Sequence, residues 1–244
     1  MICAILIGRL KSSGLPGKNT MTLLGHPMAW WPLDAARHCP EVDEVYISTD
    51  DQGIAALATE FKASVIDRPA SLATDTALGE DVFVHAHHVI TDRLTDAGAL
   101  PELYVLLMAN AVTVSPRQIS AGIEALRSDS LLDSAVTVSR YNMWSPLRAR
   151  KIGPNGLLKP FVPFETFGDP ETLDCDRDSQ GDVWFADMGV SVVRPKNLDH
   201  LRDGLLPQKW MGQKIYPIRS EAGLDVDYDF QVTQAEWWLR KNRL

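Results

Sequence analysis

The sequence predicts an α/β fold with a mostly parallel sheet that is covered by helices on both faces. Residues 2–7 form a continuous apolar run, the pattern of a strand buried on both faces. Strand-like and helix-like stretches then alternate, which favours right-handed crossovers between parallel strands. With 45% hydrophobic and 23% charged residues, the chain of 244 residues has enough apolar surface for a core. We expect one domain over residues 1–244.

Two strand–helix units follow the opening strand. Residues 42–49 predict the next strand, and the helix after it is indicated by four apolar residues on one helical face: Ile54, Leu57, Ala58 and Phe61. Residues 104–109 predict a further strand. The helix after that strand carries Ile119, Ile123 and Leu126, and a strand over 134–139 completes the second unit.

The alternation stops between residues 144 and 182, a segment named the excursion below. Pro154, Asn155 and Gly156 supply turn residues between two short strand-like pieces, which predicts a hairpin over 151–160. The acidic stretch after it has no hydrophobic period, and a loop of that length within a domain is usually functional or mobile. We therefore expect the excursion to project from the core.

Two returning strands and a last helix complete the predicted elements. The strands are expected over residues 183–193 and 214–219. The helix is expected over 229–240, burying Phe230 together with Trp237 or Trp238.

Composition and charge exclude several classes of protein. The formal charge is -8 with both signs dispersed, whereas a nucleic-acid reader needs clustered Lys and Arg. No run of about 18 apolar residues predicts a membrane span, and the opening run lacks the basic leader of a signal peptide. Cys3, Cys39 and Cys175 are odd in number and form no close pair, so we expect reduced thiols, a cytoplasmic protein and no zinc site.

The segment after the first strand, residues 8–19, reads GRLKSSGLPGKN and is named the glycine–lysine loop. Ligands of open α/β sheets bind at the carboxyl ends of strands, where backbone N–H groups can face phosphate oxygens. Arg9, Lys11 and Lys18 add positive charge that suits a triphosphate. The loop matches neither G-x-G-x-x-G nor G-x-x-x-x-G-K-[ST], so on spacing alone a solvated turn is the alternative.

Asp225 and Asp227, two residues apart in GLDVDYD, are named the acidic couplet. In an extended segment their carboxylates point to the same face, where one Mg²⁺ could bridge them to phosphate oxygens. The alternative is a capping or helix-dipole role before the last helix. Elsewhere, Asp50 is expected to cap the helix after residues 42–49.

A cluster of three histidines, His85, His87 and His88, falls in a stretch of helical character. It lacks the Glu of H-E-x-x-H, so packing or partial exposure explains it better than a metal site.

Three separated blocks resemble the N-acylneuraminate (sialic acid) cytidylyltransferase family. The glycine–lysine loop is similar to the family pattern A-R-x-x-S-K-G-x-P-x-K-N, and residues 42–77 carry STDD, RPA and LATDTA in the family's order and spacing. Residues 223–236, GLDVDYDFQVTQAE, are similar to the family's closing D-x-D followed by a helix. Together the blocks cover about half of the chain.

The resemblance implies a three-layer αβα, Rossmann-like nucleotidyltransferase fold, with the excursion as a dimerisation arm and lid, and hence a homodimer. It implies Mg²⁺-dependent transfer of CMP from CTP to the anomeric hydroxyl of an acidic, sialic-acid-like keto-sugar, with release of pyrophosphate. The implied nucleotide-binding residues are Gly8, Arg9, Ser12, Gly14, Lys18, Asn19 and Arg68. Arg9, Lys18, Asp225 and Asp227 are the implied catalytic residues, the two aspartates being the metal ligands. Arg148 is implied to bind the acceptor's carboxylate.

The chain departs from the family pattern after the strand at 104–109. Met108 stands where the family has a Gln that helps recognise cytosine, and Val114 stands where it has an Arg. A thioether cannot make the hydrogen bonds of a base edge, so the nucleoside triphosphate stays open. Met188 replaces an Asn near the sugar site, so we expect an acceptor other than ordinary N-acetylneuraminic acid.

Two alternatives therefore stay open beside the cytidylyltransferase. One is a nucleotidylyltransferase of the same fold that uses another nucleoside triphosphate or another acidic acceptor. The other is a non-catalytic nucleotide-binding homologue, against which the retained acidic couplet argues.

Overall fold

A seven-stranded sheet is the centre of the computed structural model, which describes residues 1–11 and 14–243. The strands in the described residues are β1 (Ile2–Gly8), β2 (Thr22–Leu23), β3 (His26–Pro27), β4 (Glu44–Thr49), β5 (Ser64–Asp67), β6 (Leu103–Met108), β7 (Ser134–Arg140), β8 (Arg150–Ile152), β9 (Leu158–Pro160), β10 (Trp184–Val193) and β11 (Ile215–Ser220). The α-helices are α1 (Trp30–Arg37), α2 (Gln52–Phe61), α3 (Gly79–Asp96), α4 (Pro116–Ser128), α5 (Pro195–Asp199) and α6 (Asp229–Asn242).

The sheet has the strand order β11-β7-β10-β6-β1-β4-β5. Its neighbours pair in parallel except at β10, which runs antiparallel to both β6 and β7. The predicted mostly parallel sheet is therefore confirmed, with β10 inserted in the opposite direction. The carboxyl ends of β1, β4 and β6 consequently meet at one edge of the sheet.

Helices cover both faces of this sheet, because the apolar residues of β1 alternate between two clusters. Ala4 and Leu6 pack on the face that holds α1, α2 and α4. Cys3, Ile5 and Ile7 pack on the face that holds α3 and α5. The result is the three-layer α/β arrangement that the sequence predicted.

The cap of α2 differs from the prediction by one residue. Asp51, in extended conformation at φ -97, is the N-cap, and its carboxylate accepts a hydrogen bond of 2.7 Å from the Gly53 backbone N–H. Asp50 instead accepts a hydrogen bond of 3.0 Å from the Leu10 backbone N–H. The prediction for Asp50 was therefore wrong, and its carboxylate ties β4 to the glycine–lysine loop.

The last helix, α6, buries only part of the face that we predicted. Phe230 and Trp237 are 59% and 63% exposed, whereas Ala235 and Leu239 are fully buried. Trp238, the other predicted residue, is partly buried against the cluster that contains Ala235 and Leu239. Positions 230 and 237 lie seven residues apart on one side of the helix, and the smaller residues occupy the opposite side. The prediction for Phe230 was wrong because its position in the first turn faces away from the core, where its ring stacks on Tyr228.

The excursion contains the predicted hairpin, formed by the antiparallel pair β8 and β9. Both strands are largely exposed, with Ile152 at 74% and Leu158 at 71%. Among the described residues, no helix combines the length and apolar character that crossing a membrane requires.

Candidate active site

The glycine–lysine loop leaves the carboxyl end of β1 at a point with no room for a side chain. A Cβ at Gly8 would lie 2.7 Å from Ile54 Cδ1 and 2.8 Å from Ala109 Cβ. Both distances are shorter than real Cβ contacts, so only glycine lets the chain pass between α2 and the end of β6. The loop is thereby fixed at the edge where the parallel strands end.

The loop ends in a single 3-10 turn, Lys18–Thr20, that buries two polar residues. Lys18 and Asn19 are 8% and 6% exposed. Asn19 Nδ2 donates a hydrogen bond of 3.0 Å to the Arg9 carbonyl, while its buried Oδ1 has no partner within the described part of the chain. A buried amide oxygen without a partner is costly, so it is suited to a ligand's hydrogen-bond donor.

Arg9 links the loop to the segment before α3. Its Nη1 donates a hydrogen bond of 2.8 Å to the Thr74 carbonyl and lies 4.0 Å from an Asp75 carboxylate oxygen. The Arg9 side chain is 29% exposed. These two contacts hold the Arg9 guanidinium in one orientation at the start of the loop.

Arg68, which follows β5, lies beside the same edge. Its Nη2 donates a hydrogen bond to the Ser48 carbonyl of β4, and its buried Nε has no partner within residues 1–11 and 14–243. Burial lowers the pKa of Arg68 to about 10, so it is still a cation at neutral pH. This residue offers an unused donor beside the ends of β1 and β4.

The acidic couplet approaches this edge from the far end of the chain. Val226, between the two aspartates, is fully buried in a cluster with Leu23 and Met28, so the half-buried Asp225 and Asp227 both face away from that cluster. The extended segment forms an isolated antiparallel bridge between Ala111, which follows β6, and Asp225. The carboxylates of Asp225 and Asp227 thus point to the same side of the segment, as predicted.

Two contacts bring the couplet against the glycine–lysine loop. Lys18 Nζ donates a hydrogen bond to the Asp227 carboxylate. The backbone of Gly14 packs so closely that a Cβ there would lie 2.7 Å from the Asp227 carbonyl oxygen. The cationic loop and the acidic couplet, which were each predicted to act on phosphate groups, therefore lie in contact in the fold.

Asp225 has an unusual protonation equilibrium. Burial, followed by the negative charge of Asp227, raises the pKa of Asp225 to about 6, although Lys18 and a hydrogen bond from Asn110 oppose the rise. Two carboxylates this close repel each other unless a cation lies between them. The two negative charges of the couplet therefore suit a bound cation.

Asn110 is a site residue that the sequence reasoning missed. It follows the end of β6, and its Nδ2 donates to the Asp225 carboxylate and, at 3.2 Å, to the Val226 carbonyl. The available signal was its position: an amide two residues after a buried strand belongs to the same edge as the glycine–lysine loop.

A cavity of about 400 Å³ lies between these groups. The predicted residues that line it are Gly8, Arg9, Gly14, Lys18, Asn19, Arg68 and Asp227. Its other wall is mostly apolar and includes Leu72, Val82 and Met108. Ser12, also predicted to bind nucleotide, lies outside the described residues. The cavity therefore has a charged end and an apolar end, which suits a nucleotide.

Asp225 adjoins this cavity through its hydrogen bond with Asn110 but is not among the residues that line it. Arg148 does not line it either. It lies in the excursion, where its Nη2 donates a hydrogen bond of 2.6 Å to the Cys175 carbonyl. It borders a separate hollow with Arg150 and Phe164. A role in binding the acceptor stays a prediction.

The three histidines lie in α3, as the sequence indicated. His87 is buried, and its ring nitrogens contact the Tyr104 hydroxyl at 3.0 Å and Asp199 at 2.9 Å. His88 and Asp199 lie near enough to His87 to form a possible three-ligand group. Since both nitrogens of His87 already have partners, packing accounts for this residue.

A comparison with protein families decides the classification. A family model described as Cytidylyltransferase matches residues 3–143, which run from β1 to the end of β7. The chain belongs to the cytidylyltransferase family. The matched part includes the glycine–lysine loop, Arg68 and Asn110.

Curated relatives extend the similarity of this cytidylyltransferase-family chain. It is 34% identical to an N-acylneuraminate cytidylyltransferase of Oncorhynchus mykiss, over 96% of the chain and 49% of the relative. It is 32% identical to a CMP-N,N'-diacetyllegionaminic acid synthase of Legionella pneumophila, over 65% of the chain and 66% of the relative. The family resemblance predicted from sequence is confirmed, and the chain spans about half to two thirds of the length of these two relatives.

A solved structure shows the same fold. The likeness is to a CMP:2-keto-3-deoxy-manno-octonic acid synthetase complexed with CTP, with a TM-score of 0.68 over 98% of both chains. Sequence identity is 17%, so this likeness concerns the fold alone. It confirms the predicted nucleotidyltransferase-like architecture of the cytidylyltransferase-family chain.

The backbone of Met188, where the resemblance places an Asn, has an unusual conformation. Its φ is 60, in the left-handed region that Asn adopts far more readily than Met. The position lies in a bulge of β10, between Ala186 and Ser191, which is held by the buried carboxylate of Asp187. This chain therefore keeps the left-handed backbone that an Asn would readily adopt in the bulge, but it lacks the Asn side chain.

Proposed function

We propose that this protein is a Mg²⁺-dependent cytidylyltransferase that transfers CMP from CTP to a sialic-acid-like keto-sugar acid and releases pyrophosphate. One observation carries the proposal: a single cavity is lined by the buried Lys18, by Asp227 of the acidic couplet, and by Asn19 and Arg68. Asn19 and Arg68 each have a buried polar atom with no partner in the part of the chain that the structure describes. A polyphosphate, a divalent cation and a nucleobase would use these three kinds of group.

The chemistry follows from charge. In the proposed reaction the acceptor's hydroxyl oxygen attacks the α-phosphorus of CTP, and a new phosphorus–oxygen bond forms. The bond to the β-phosphate oxygen breaks as pyrophosphate leaves, and the proton of the hydroxyl is released to water. Arg9 and Lys18 would stabilise the negative charge that develops on the transferred and leaving phosphates. Backbone N–H groups of the glycine–lysine loop would hold the triphosphate in line with the acceptor.

The couplet fits a magnesium ion by its donor chemistry. Mg²⁺ prefers carboxylate oxygens and is commonly held by one or two carboxylates together with substrate phosphates. Asp225 and Asp227 are half-buried, face the same side and repel each other, which raises the pKa of Asp225. A bound Mg²⁺ would neutralise phosphate charge and lower the pKa of the attacking hydroxyl, so that no dedicated protein base is required.

The acceptor is proposed from the names of the two relatives and from the positively charged side chain of Arg148. The two relatives described above are by name an N-acylneuraminate cytidylyltransferase and a CMP-N,N'-diacetyllegionaminic acid synthase. Arg148, in the excursion that the resemblance implies to be a lid, would supply a guanidinium for the acceptor's carboxylate. The Asn of the family is replaced by Met188, which favours an acceptor with fewer polar groups at that point.

We further propose a cytoplasmic homodimer joined through the excursion. Trp144, Ile152 and Leu158 are all more than 70% exposed in the single chain. Large apolar side chains exposed within one segment are typical of a protein–protein interface. Cys3, Cys39 and Cys175 are free thiols, as a reducing compartment would keep them.

Pyrophosphate release tests the proposal directly. The purified chain would be assayed with CTP, UTP, GTP or ATP against a panel of sialic-type sugar acids, with and without Mg²⁺. Asp225→Asn and Asp227→Asn should each lower turnover by about 10²–10³-fold while circular dichroism shows a native fold. The matched control is Asp92→Asn, an exposed aspartate of α3, which should keep full turnover.

The outcomes separate the candidate functions. Turnover with CTP and an acidic sugar supports the proposal. Turnover that prefers another triphosphate supports the alternative that Met108 raises, since it lines the apolar end of the cavity. Binding of nucleotide without pyrophosphate release for any acceptor would indicate a non-catalytic homologue and refute the proposed enzyme.

A further inference from the structure

Asn110 makes an unusually dense set of contacts with the acidic couplet. Its Nδ2 donates to the Asp225 carboxylate and, at 3.2 Å, to the Val226 carbonyl. Its own carbonyl accepts a hydrogen bond of 3.2 Å from the Val226 N–H. One residue at the end of β6 therefore holds two consecutive residues of a segment that is 115 positions away in sequence.

The direction of the Asp225 carboxylate depends on this amide. Within residues 1–11 and 14–243, Asn110 supplies the only hydrogen bond recorded to the Asp225 side chain, whereas Asp227 is held by Lys18. The amide occupies Oδ1 and leaves Oδ2 free. Asn110 and Asp227 both line the cavity, and Asp225 adjoins it through this hydrogen bond with Asn110.

We propose that Asn110 is a positioning residue that orients Asp225 for binding of the divalent cation. The inference rests on the proposed function, because it assigns a task within that reaction. Carboxylates that bind metals are themselves held by hydrogen bonds, and loss of such a supporting bond typically costs 10–100-fold in metal affinity or activity. An amide suits this task because it donates a hydrogen bond without adding charge to a cation site.

The test measures cation binding apart from turnover. Mn²⁺ bound to the protein in the presence of CTP would be counted by electron paramagnetic resonance, and pyrophosphate release would be followed as Mg²⁺ is varied. Asn110→Ala should raise the half-saturating concentration of both cations by about 10-fold or more. The KM for CTP at saturating Mg²⁺ should change by less than about 2-fold, since the amide is assigned to the cation site. Asn110→Gln, which keeps the amide, should recover part of the affinity.

A matched control separates positioning from general damage to the fold. Asn197 is a buried asparagine whose Nδ2 also donates two hydrogen bonds, to the Asp133 and Trp210 carbonyls, at the opposite edge of the sheet. Asn197→Ala should lower the melting temperature without changing either half-saturating concentration. If the Asn110→Ala chain does not fold, Asn110→Ser removes the same amide and gives the same readout.

Two results would overturn the inference and one would remove its basis. Unchanged Mn²⁺ and Mg²⁺ half-saturation in Asn110→Ala, with the wild type active, overturns it and leaves the proposed function standing. Equal weakening in Asn197→Ala also overturns it. A wild-type chain that neither binds Mn²⁺ with CTP nor releases pyrophosphate refutes the proposed function, and the inference falls with it.

Discussion

Lys18 and Asp227 form an ion pair across 209 positions of sequence, with the lysine side chain 10% exposed and the aspartate side chain 48% exposed. A nearly buried ammonium requires a counter-charge, so the pair joins the glycine–lysine loop to the acidic couplet. In the proposed reaction both residues take other partners, a triphosphate for Lys18 and a cation for Asp227. The ion pair thus holds both groups in place, and in the proposed reaction it would be exchanged when the substrates bind.

Lys18→Met should lower turnover with CTP by about 10²–10³-fold, the usual cost of removing one preorganised charge from a transition state. The methionine fills the same volume, so the fold should persist. Pyrophosphate release under saturating Mg²⁺ measures the effect. Lys241→Met, at an exposed position of α6, is the control and should retain wild-type turnover. Wild-type turnover in Lys18→Met would contradict the assignment.

Asp225→Asn should stabilise the metal-free protein at high pH and not at low pH. Burial and the charge of Asp227 raise the pKa of Asp225 from 3.8 to about 6, so the folded state binds the proton more tightly than the unfolded chain does. The stability that this proton contributes is fully present below pH 4 and is lost as pH rises through about 6. Asparagine resembles the protonated carboxyl and therefore avoids the loss.

The size of that effect follows from partial burial. Solvent screening reduces the contribution to on the order of 1 kcal/mol, which corresponds to about 2–4 °C in melting temperature for a chain of this length. Melting would be followed in EDTA at pH 4 and pH 7.5, comparing Asp225→Asn with wild type. A gain of equal size at both pH values would show that the charge of Asp225 is not its source.

Hydrophobic period was enough to predict the sheet, because a buried parallel strand such as β1 is a run of apolar residues. It could not predict the direction of β10, since an antiparallel strand buried on both faces has the same apolar pattern. It also misplaced Phe230, because the buried side of α6 is formed by Ala235, Leu239 and part of Trp238.

The candidate site was predictable where residues lie at strand ends or match a family pattern. Lys18 and the couplet are of this kind, and the fold brings them together. Asn110 was missed because its role depends on a contact with a segment that is distant in sequence, and no local pattern records such a contact. Similarly, the loss of the Asn at Met188 is visible in the sequence, but the left-handed backbone at that residue is not.

Ile152→Lys combined with Leu158→Lys should convert the proposed dimer to a monomer. The two side chains are 74% and 71% exposed on the paired strands β8 and β9, and buried charge at an apolar interface is strongly unfavourable. Light scattering after size-exclusion chromatography gives the mass directly. Leu131→Lys, 66% exposed and outside the excursion, should leave the mass unchanged. A wild-type mass of 27.1 kDa would contradict the dimer itself.

Met108→Gln should increase discrimination between CTP and UTP. The side chain of Met108 is half-buried at the apolar end of the cavity, where its Cε lies 3.6 Å from the position a Cβ would take on Gly79. A thioether can contact the face or edge of a base but cannot distinguish the amino group of cytosine from the carbonyl of uracil.

The expected change in the ratio of kcat/KM for CTP over UTP depends on how a binding site rejects the wrong base. A site that hydrogen-bonds its ligand leaves buried groups unpaired when the ligand lacks the matching group, whereas an apolar wall discriminates weakly. We therefore expect the ratio of kcat/KM for CTP over UTP to rise by about 10-fold in Met108→Gln and to stay unchanged in Met108→Leu. If the native protein already prefers CTP strongly and Met108→Gln does not change the ratio, base selection belongs to other groups, of which Arg68, with its unused Nε, is the first to test.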